Sequence, residues 1–312
     1  MPHVTFIHGL ANKPEATTLH QIWRRALAKG SNPLDLGAAG ISTSMVYWAD
    51  VLYPASDPNV ADYESTAESA PQEVDAGGNA QMPVGTTDKE RQFIQRMREQ
   101  DTRMSDAEIK KAGNHGSADP NATKLERIPL PWFIKEKIMA AKLRDAYVYL
   151  FNKDFSPRPG ETYKVQDHIR KLFIDDLKAV QPEGPHVVVS HSMGTIIAYD
   201  CLKRVPGCPA IDSLMTLGSP LGIDEIQDCL EPEWTREDGY PRSMIKSKWI
   251  NVYDHLDVVC GADPKIANDF RDDDRERIAD ISVTNEGAWR HSIVKYFARQ
   301  EVRTALRNTL GL

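Results

Sequence analysis

Val187-Val188-Val189-Ser190-His191-Ser192-Met193-Gly194-Thr195-Ile196-Ile197 is the run that decides the fold class. The three consecutive valines read as a buried strand, and the residues from Met193 onward begin a helix. Small residues, Ser190 and Gly194, flank Ser192 two positions away on either side. Bulkier side chains there would clash across so tight a strand-to-helix bend, and the bend lifts the serine oxygen above the sheet. The helix N-terminus behind it adds partial positive charge and free backbone N–H groups. Ser192 is therefore the candidate nucleophile. A small-x-Ser-x-Gly pattern recurs by chance, and Ser190 stands where glycine is more usual, so the strand-to-helix context carries the reading.

Outward from this run, short β-branched segments alternate with longer amphipathic ones. That pattern predicts an α/β fold, a mostly parallel sheet with helices on both faces. The expected strands are His3 to Ile7, Thr43 to Trp48, His186 to Ser190, Ser213 to Leu217, Lys248 to Tyr253 and Ala279 to Thr284. The expected helices are Thr17 to Ala28, Gln166 to Val180, Met193 to Arg204, Pro264 to Asp269 and His291 to Arg307. Residues 1–312 form one domain in this reading. Its exception is a polar insertion over residues 52–126, expected to be mobile because it offers little to bury, with one charged helix near Asp88 to Gln100. Behind it, residues 130–153 carry Trp132, Phe133 and an apolar stripe at helical spacing, a helix packed on the core or, alternatively, a lid.

Composition narrows the functional classes. The chain has 312 residues, enough for a real hydrophobic core, and 27% of them are charged. Lys and Arg total 38 against 45 Asp and Glu, a net charge of −7, which repels phosphate backbones and anionic headgroups. No nucleic-acid partner is expected. No window is apolar for long enough to span a bilayer, and a strand at His3 leaves no room for a signal peptide, so the expected location is cytoplasmic. Cys201, Cys208, Cys229 and Cys260 lack zinc-type spacing and are expected as reduced thiols. Asp272-Asp273-Asp274 lacks the alternating ligands and glycine of a calcium loop and is expected to be a solvated turn. Gly218-Ser219-Pro220-Leu221-Gly222 is followed by neither Lys-Ser nor Lys-Thr, so it is no phosphate cradle.

The second chemical signal is His8-Gly9-Leu10 at the end of the first strand. In an acyl-transfer site, one backbone N–H from this loop and one from the residue after the serine face the developing oxyanion; here they belong to Leu10 and Met193. With that pair beside Ser192, the chain resembles an α/β-hydrolase-fold serine hydrolase of the lipase and esterase kind. The order of the His-Gly loop, serine, acid and histidine matches that family.

The resemblance places the acid beyond the strand ending at Tyr253, where Asp254 and Asp257 share one loop, and either can orient an imidazole. Asp257 is favoured because its Asp-x-Val run resembles the family's acid turn, with Asp254 the alternative as brace or acid. The base falls on His291, directly before the terminal helix. His8, His168, His191 and His255 are expected to be structural. The resemblance thus implies hydrolysis of a small-molecule or lipid ester through an acyl-enzyme, with no metal or organic cofactor. Lipase or phospholipase chemistry is the alternative, and a binding protein that kept the fold without turnover is the rival from another class.

Overall fold

Val187 and Val189 sit in one hydrophobic cluster and Val188 in another, so the valine run is buried on both faces of a sheet. The computed structural model describes residues 1–30, 32–60, 63, 83–103, 143–180, 182–260, 263–286 and 289–312. Six strands form one parallel sheet: β1 (His3–Ile7), β2 (Ser42–Val46), β5 (His186–His191), β6 (Ile211–Leu217), β7 (Ile245–Tyr253) and β8 (Ile278–Ser282). Their spatial order is β2-β1-β5-β6-β7-β8, and a separate small hairpin pairs β3 (Asp154–Phe155) with β4 (Tyr163–Lys164).

Side chains alternate across the sheet with the two-residue period of a pleated strand. Phe6, Met215, Leu217, Ile250 and Val252 join one cluster, while Ile7, Leu214 and Trp249 join the other. Helices cover both. On the first face lie α1 (Ala16–Ala28), α8 (Ile293–Ala298) and α9 (Gln300–Leu310). On the second lie α2 (Ala49–Leu52), α3 (Asp88–Arg103), a helix over residues 143–150 (α4), α5 (Val165–Ala179), α6 (Met193–Arg204) and α7 (Asp224–Gln227). In α1, Leu19, Ile22, Trp23, Ala26 and Leu27 recur at i, i+3, i+4, i+7 and i+8, the spacing that turns one helical stripe inward.

Three expectations need correction. Pro264 to Asp269 is a turn, not a helix: its backbone is committed elsewhere, with Pro264 O accepting from Asn251 and the Ile266 and Ala267 N–H groups donating to Asp280. The terminal helix is two helices, broken at Arg299, which is extended at φ −75° and ψ 136°. Phe297 and Val302 are both core residues five positions apart, off the helical period, so one extended residue resets the phase and lets both helices bury their stripes. Third, the tract after residue 52 buries part of itself: Phe93, Ile94 and Met97 of α3 reach the core. Trp132 and Phe133, and with them residues 130–142 of the expected helix, lie outside the described residues.

The register sets where chemistry is possible. Ile7 pairs with Ser190, His191 with Leu217, Leu217 with Val252, and Tyr253 with Ser282, so the loops after these strands leave from one edge. Strand order reverses between β1 and β5, and in open parallel sheets the crevice at such a point, outside the carboxyl ends, is where ligands bind. No helix among the described residues is long and apolar enough to cross a membrane. All four cysteines are buried and free of disulfides.

Gly194 explains why the serine turn needs a small residue. A Cβ there would stand 2.6 Å from His8 O and 2.7 Å from Ile7 O, both backbone atoms that cannot swing away. Gly194→Ala is therefore expected to cost about 1–3 kcal/mol through overpacking. Urea unfolding checks this, and an unchanged midpoint would contradict it.

Candidate active site

Ser192 stands between β5 and α6 with φ 54° and ψ −127°, a conformation a non-glycine residue holds only under strain. Its backbone is pinned by the Ser192 N–H to Leu217 O bond at 3.0 Å. Below it, Ser190 Oγ donates to Met215 O at 3.0 Å; behind it, Thr195 Oγ1 donates to Ser192 O at 2.7 Å. The Ser192 hydroxyl itself is buried with no hydrogen-bond partner. Met193, as first residue of α6, has a backbone N–H without an intrahelical acceptor.

His291 reaches the same place from the far end of the chain. Its Nδ1 donates to Asp257, 2.8 Å from Oδ2 and 3.0 Å from Oδ1, and its Nε2 is buried without a partner. Asp257 is 1% exposed. It also accepts from Tyr296 Oη at 2.8 Å and from Val259 N–H at 2.9 Å. Burial alone would push its carboxyl up, but the adjoining His291 charge and these hydrogen bonds outweigh it and hold the group at about 2. Of the two carboxylates, Asp257 is the one the fold brings to His291. Asp254 meets Leu256 N–H, Asn285 N–H and Arg290, not His291, and braces the loop.

Ser192 and His291 line one cleft together with Leu10, at the point where strand order reverses. Its lining is mostly apolar, including Leu19, Ile22 and Trp23 from α1 together with Val259, Trp289 and Ile293. Ser192 Oγ and His291 Nε2 do not hydrogen-bond each other. Close approach demands glycine twice. A Cβ on Gly9 would meet Ser192 Cβ at 2.5 Å, and one on Gly218, at φ 57°, would meet Asp257 Oδ2 at 3.0 Å and His291 at 3.1 Å.

No protein-family model matches this chain, and no curated protein matches it.

Four other histidines among the described residues make contacts of their own. His8 donates from Nδ1 to Gly9 O at 2.8 Å and accepts at Nε2 from Trp48 N–H at 3.0 Å. His191 donates from Nε2 to His291 O at 2.7 Å, fixing the backbone of the candidate base. His168 packs against Tyr163, and His255 is exposed beside Tyr253. Asp272 pairs with Arg242 and Arg277. Sequence reading passed over Tyr296, whose hydroxyl accepts from Asp254 N–H at 3.2 Å while donating to Asp257. Its signal was a tyrosine inside an apolar stripe, because a buried phenol needs a partner.

Burial pushes His8 down to about 3, with Lys13 adding to the shift; it pushes His191 well below its ordinary value, with His291 adding. Both rings are neutral when folded, whereas the unfolded chain protonates them near 6.5. Stability is therefore full above about pH 6.5 and falls as the pH drops from there toward 3, with a slope of about 1.4 kcal/mol per pH unit for each histidine. Urea midpoints between pH 8 and 5 measure this. A flat profile below pH 6.5 would show the histidines to be charged in the fold.

Proposed function

We propose that this chain is a serine hydrolase of the α/β-hydrolase kind that cleaves carboxylic esters through an acyl-enzyme. One observation carries the reading: His291, fixed by Asp257 at Nδ1, has an unpartnered Nε2 in the same cleft as the unpartnered Ser192 hydroxyl. A parallel six-strand sheet with the serine at a strained strand-to-helix turn supports the same reading.

In this mechanism His291 Nε2 takes the Ser192 proton as Oγ attacks the ester carbonyl carbon. Asp257 holds the tautomer that leaves Nε2 basic and stabilises the imidazolium. The Leu10 and Met193 N–H groups receive the oxyanion. Collapse expels the alcohol, which takes the proton from Nε2, and water repeats the sequence to release the acid. The apolar cleft walls favour an apolar acyl group, which makes lipid esters the second class.

A fluorophosphonate probe tests the proposal. It should label the protein once, and peptide mapping should place the adduct on Ser192. An unlabelled, folded protein would favour the binding-protein alternative. An ester chain-length panel then separates short esters from lipid esters.

A further inference from the structure

The loop that leaves β1 is held at nearly every residue. Trp48 Nε1 donates to His8 O at 2.9 Å, Asn12 Nδ2 to Ala55 O at 2.8 Å, and Tyr63 Oη to Asn12 O at 2.7 Å. These donors are uncharged, and the Lys13 ammonium adds a longer contact to Asn12 O at 3.4 Å. The peptide unit joining Leu10 to Ala11 is held differently, by an opposite charge at each end. Its carbonyl, Leu10 O, accepts from the Lys13 ammonium, and its N–H, on Ala11, donates to Asp145 Oδ2 at 3.1 Å.

Both charged groups are withdrawn from water. Lys13 is 7% exposed and Asp145 1%. Asp145 is itself fixed: Arg144 donates to Oδ1 from Nε at 2.9 Å and from an Nη at 2.7 Å, and Tyr53 Oη donates to Oδ2 at 3.1 Å. Hydrogen bonds to ionised groups are roughly twice as strong as neutral ones, and burial strengthens them further. The grip also holds Ala11 at φ 66°, a left-handed conformation that a residue with a Cβ disfavours. Such outlay on one peptide of an otherwise well-tied loop calls for a reason, and the reason lies one bond away. The Leu10 N–H is on the preceding peptide unit, and the torsions of Leu10 set its direction relative to the clamped one.

We propose that Lys13 and Asp145 are positioning residues for the oxyanion hole: by gripping opposite ends of the Leu10–Ala11 peptide they aim the Leu10 N–H at the carbonyl oxygen of a substrate on Ser192. This rests on the hydrolase reading above. An oxyanion donor contributes through preorganisation, because an N–H already aimed need not reorient as charge develops. Asp145 stands on α4, beyond the long insertion, so the oxyanion loop is complete only once that helix has docked. Lys13 also lines the cleft, and its positive charge, which adds to the larger effect of burial in lowering His8 and His191, favours a developing anion.

The test compares Lys13→Met, Lys13→Arg and Asp145→Asn with the wild type, each assayed below its melting temperature. The substrate is p-nitrophenyl acetate. The ligand is a simple boronic acid, whose anionic tetrahedral adduct on a serine needs the oxyanion donors. Lys13→Met and Asp145→Asn are expected to lower kcat by about 10- to 100-fold with KM within about twofold, and to weaken the boronate by a matching factor. Lys13→Arg should recover most of the loss. The double variant should be little worse than the worse single one, because both groups hold one peptide. A wild type that labels at Ser192 and turns over, with variants that keep kcat and boronate affinity within about twofold, overturns this proposal alone. A wild type that neither labels nor hydrolyses overturns the hydrolase reading and this proposal with it.

Discussion

Ser192→Ala is expected to lower turnover of an activated ester on the order of 10⁴-fold or more, with the fold intact. The structure separates these two effects. The Ser192 hydroxyl has no hydrogen-bond partner, so its removal orphans nothing, and alanine differs from serine only by that oxygen. Melting temperature should accordingly move little. His291→Ala should match the kinetic loss without sharing the stability. It removes the donor to Asp257, a carboxylate with almost no access to water, and so leaves a buried charge short of a partner. The double variant should be about as slow as either single one, since the two groups act as a unit. Kinetics and thermal melts on all three proteins decide this, and near-normal turnover by Ser192→Ala would end its candidacy as nucleophile.

Asp257→Asn is expected to show the second large effect, a fall in kcat near 10⁴-fold, because an amide no longer holds the imidazole tautomer that leaves Nε2 basic. The backbone should survive, since the amide oxygen can still accept from the Val259 N–H, while the Tyr296 hydroxyl, which donates to the other carboxylate oxygen, then faces the amide NH2. Asp254→Asn makes the contrast. Its carboxylate accepts from the Leu256 N–H in its own loop and reaches across to the segment before His291, where it accepts from the Asn285 N–H and pairs with Arg290. Weakening those bonds should cost about 1–3 kcal/mol of stability with a much smaller effect on kcat. Comparing turnover with melting temperature for the pair separates the roles. A greater catalytic loss at Asp254 would exchange them.

Part of this protein is local, and that part was legible in the chain. Val187 to Val189 read as a buried strand, and the small residues on either side of Ser192 fit a tight turn from it into a helix. The two-residue and 3.6-residue periods give the alternation of strands and helices, and with it the layers, because each depends on neighbours within a few residues. Boundaries slipped where distant groups claim the backbone: Asn251 and Asp280 hold 264–269 out of a helix, and the phase of the terminal apolar stripe breaks at Arg299. Asp254 and Asp257 lie three residues apart on one loop; the Asp-x-Val run favours Asp257, but from the loop alone either can orient an imidazole. The choice falls to the fold, which brings His291 within 2.8 Å of one of them and Arg290 to the other. Tyr296, Lys13 and Asp145 are likewise assigned only by tertiary structure. Hydrogen bonds reach about 3 Å, and which groups come that close across scores of residues is set by packing of the whole sheet and its helices, not by sequence spacing.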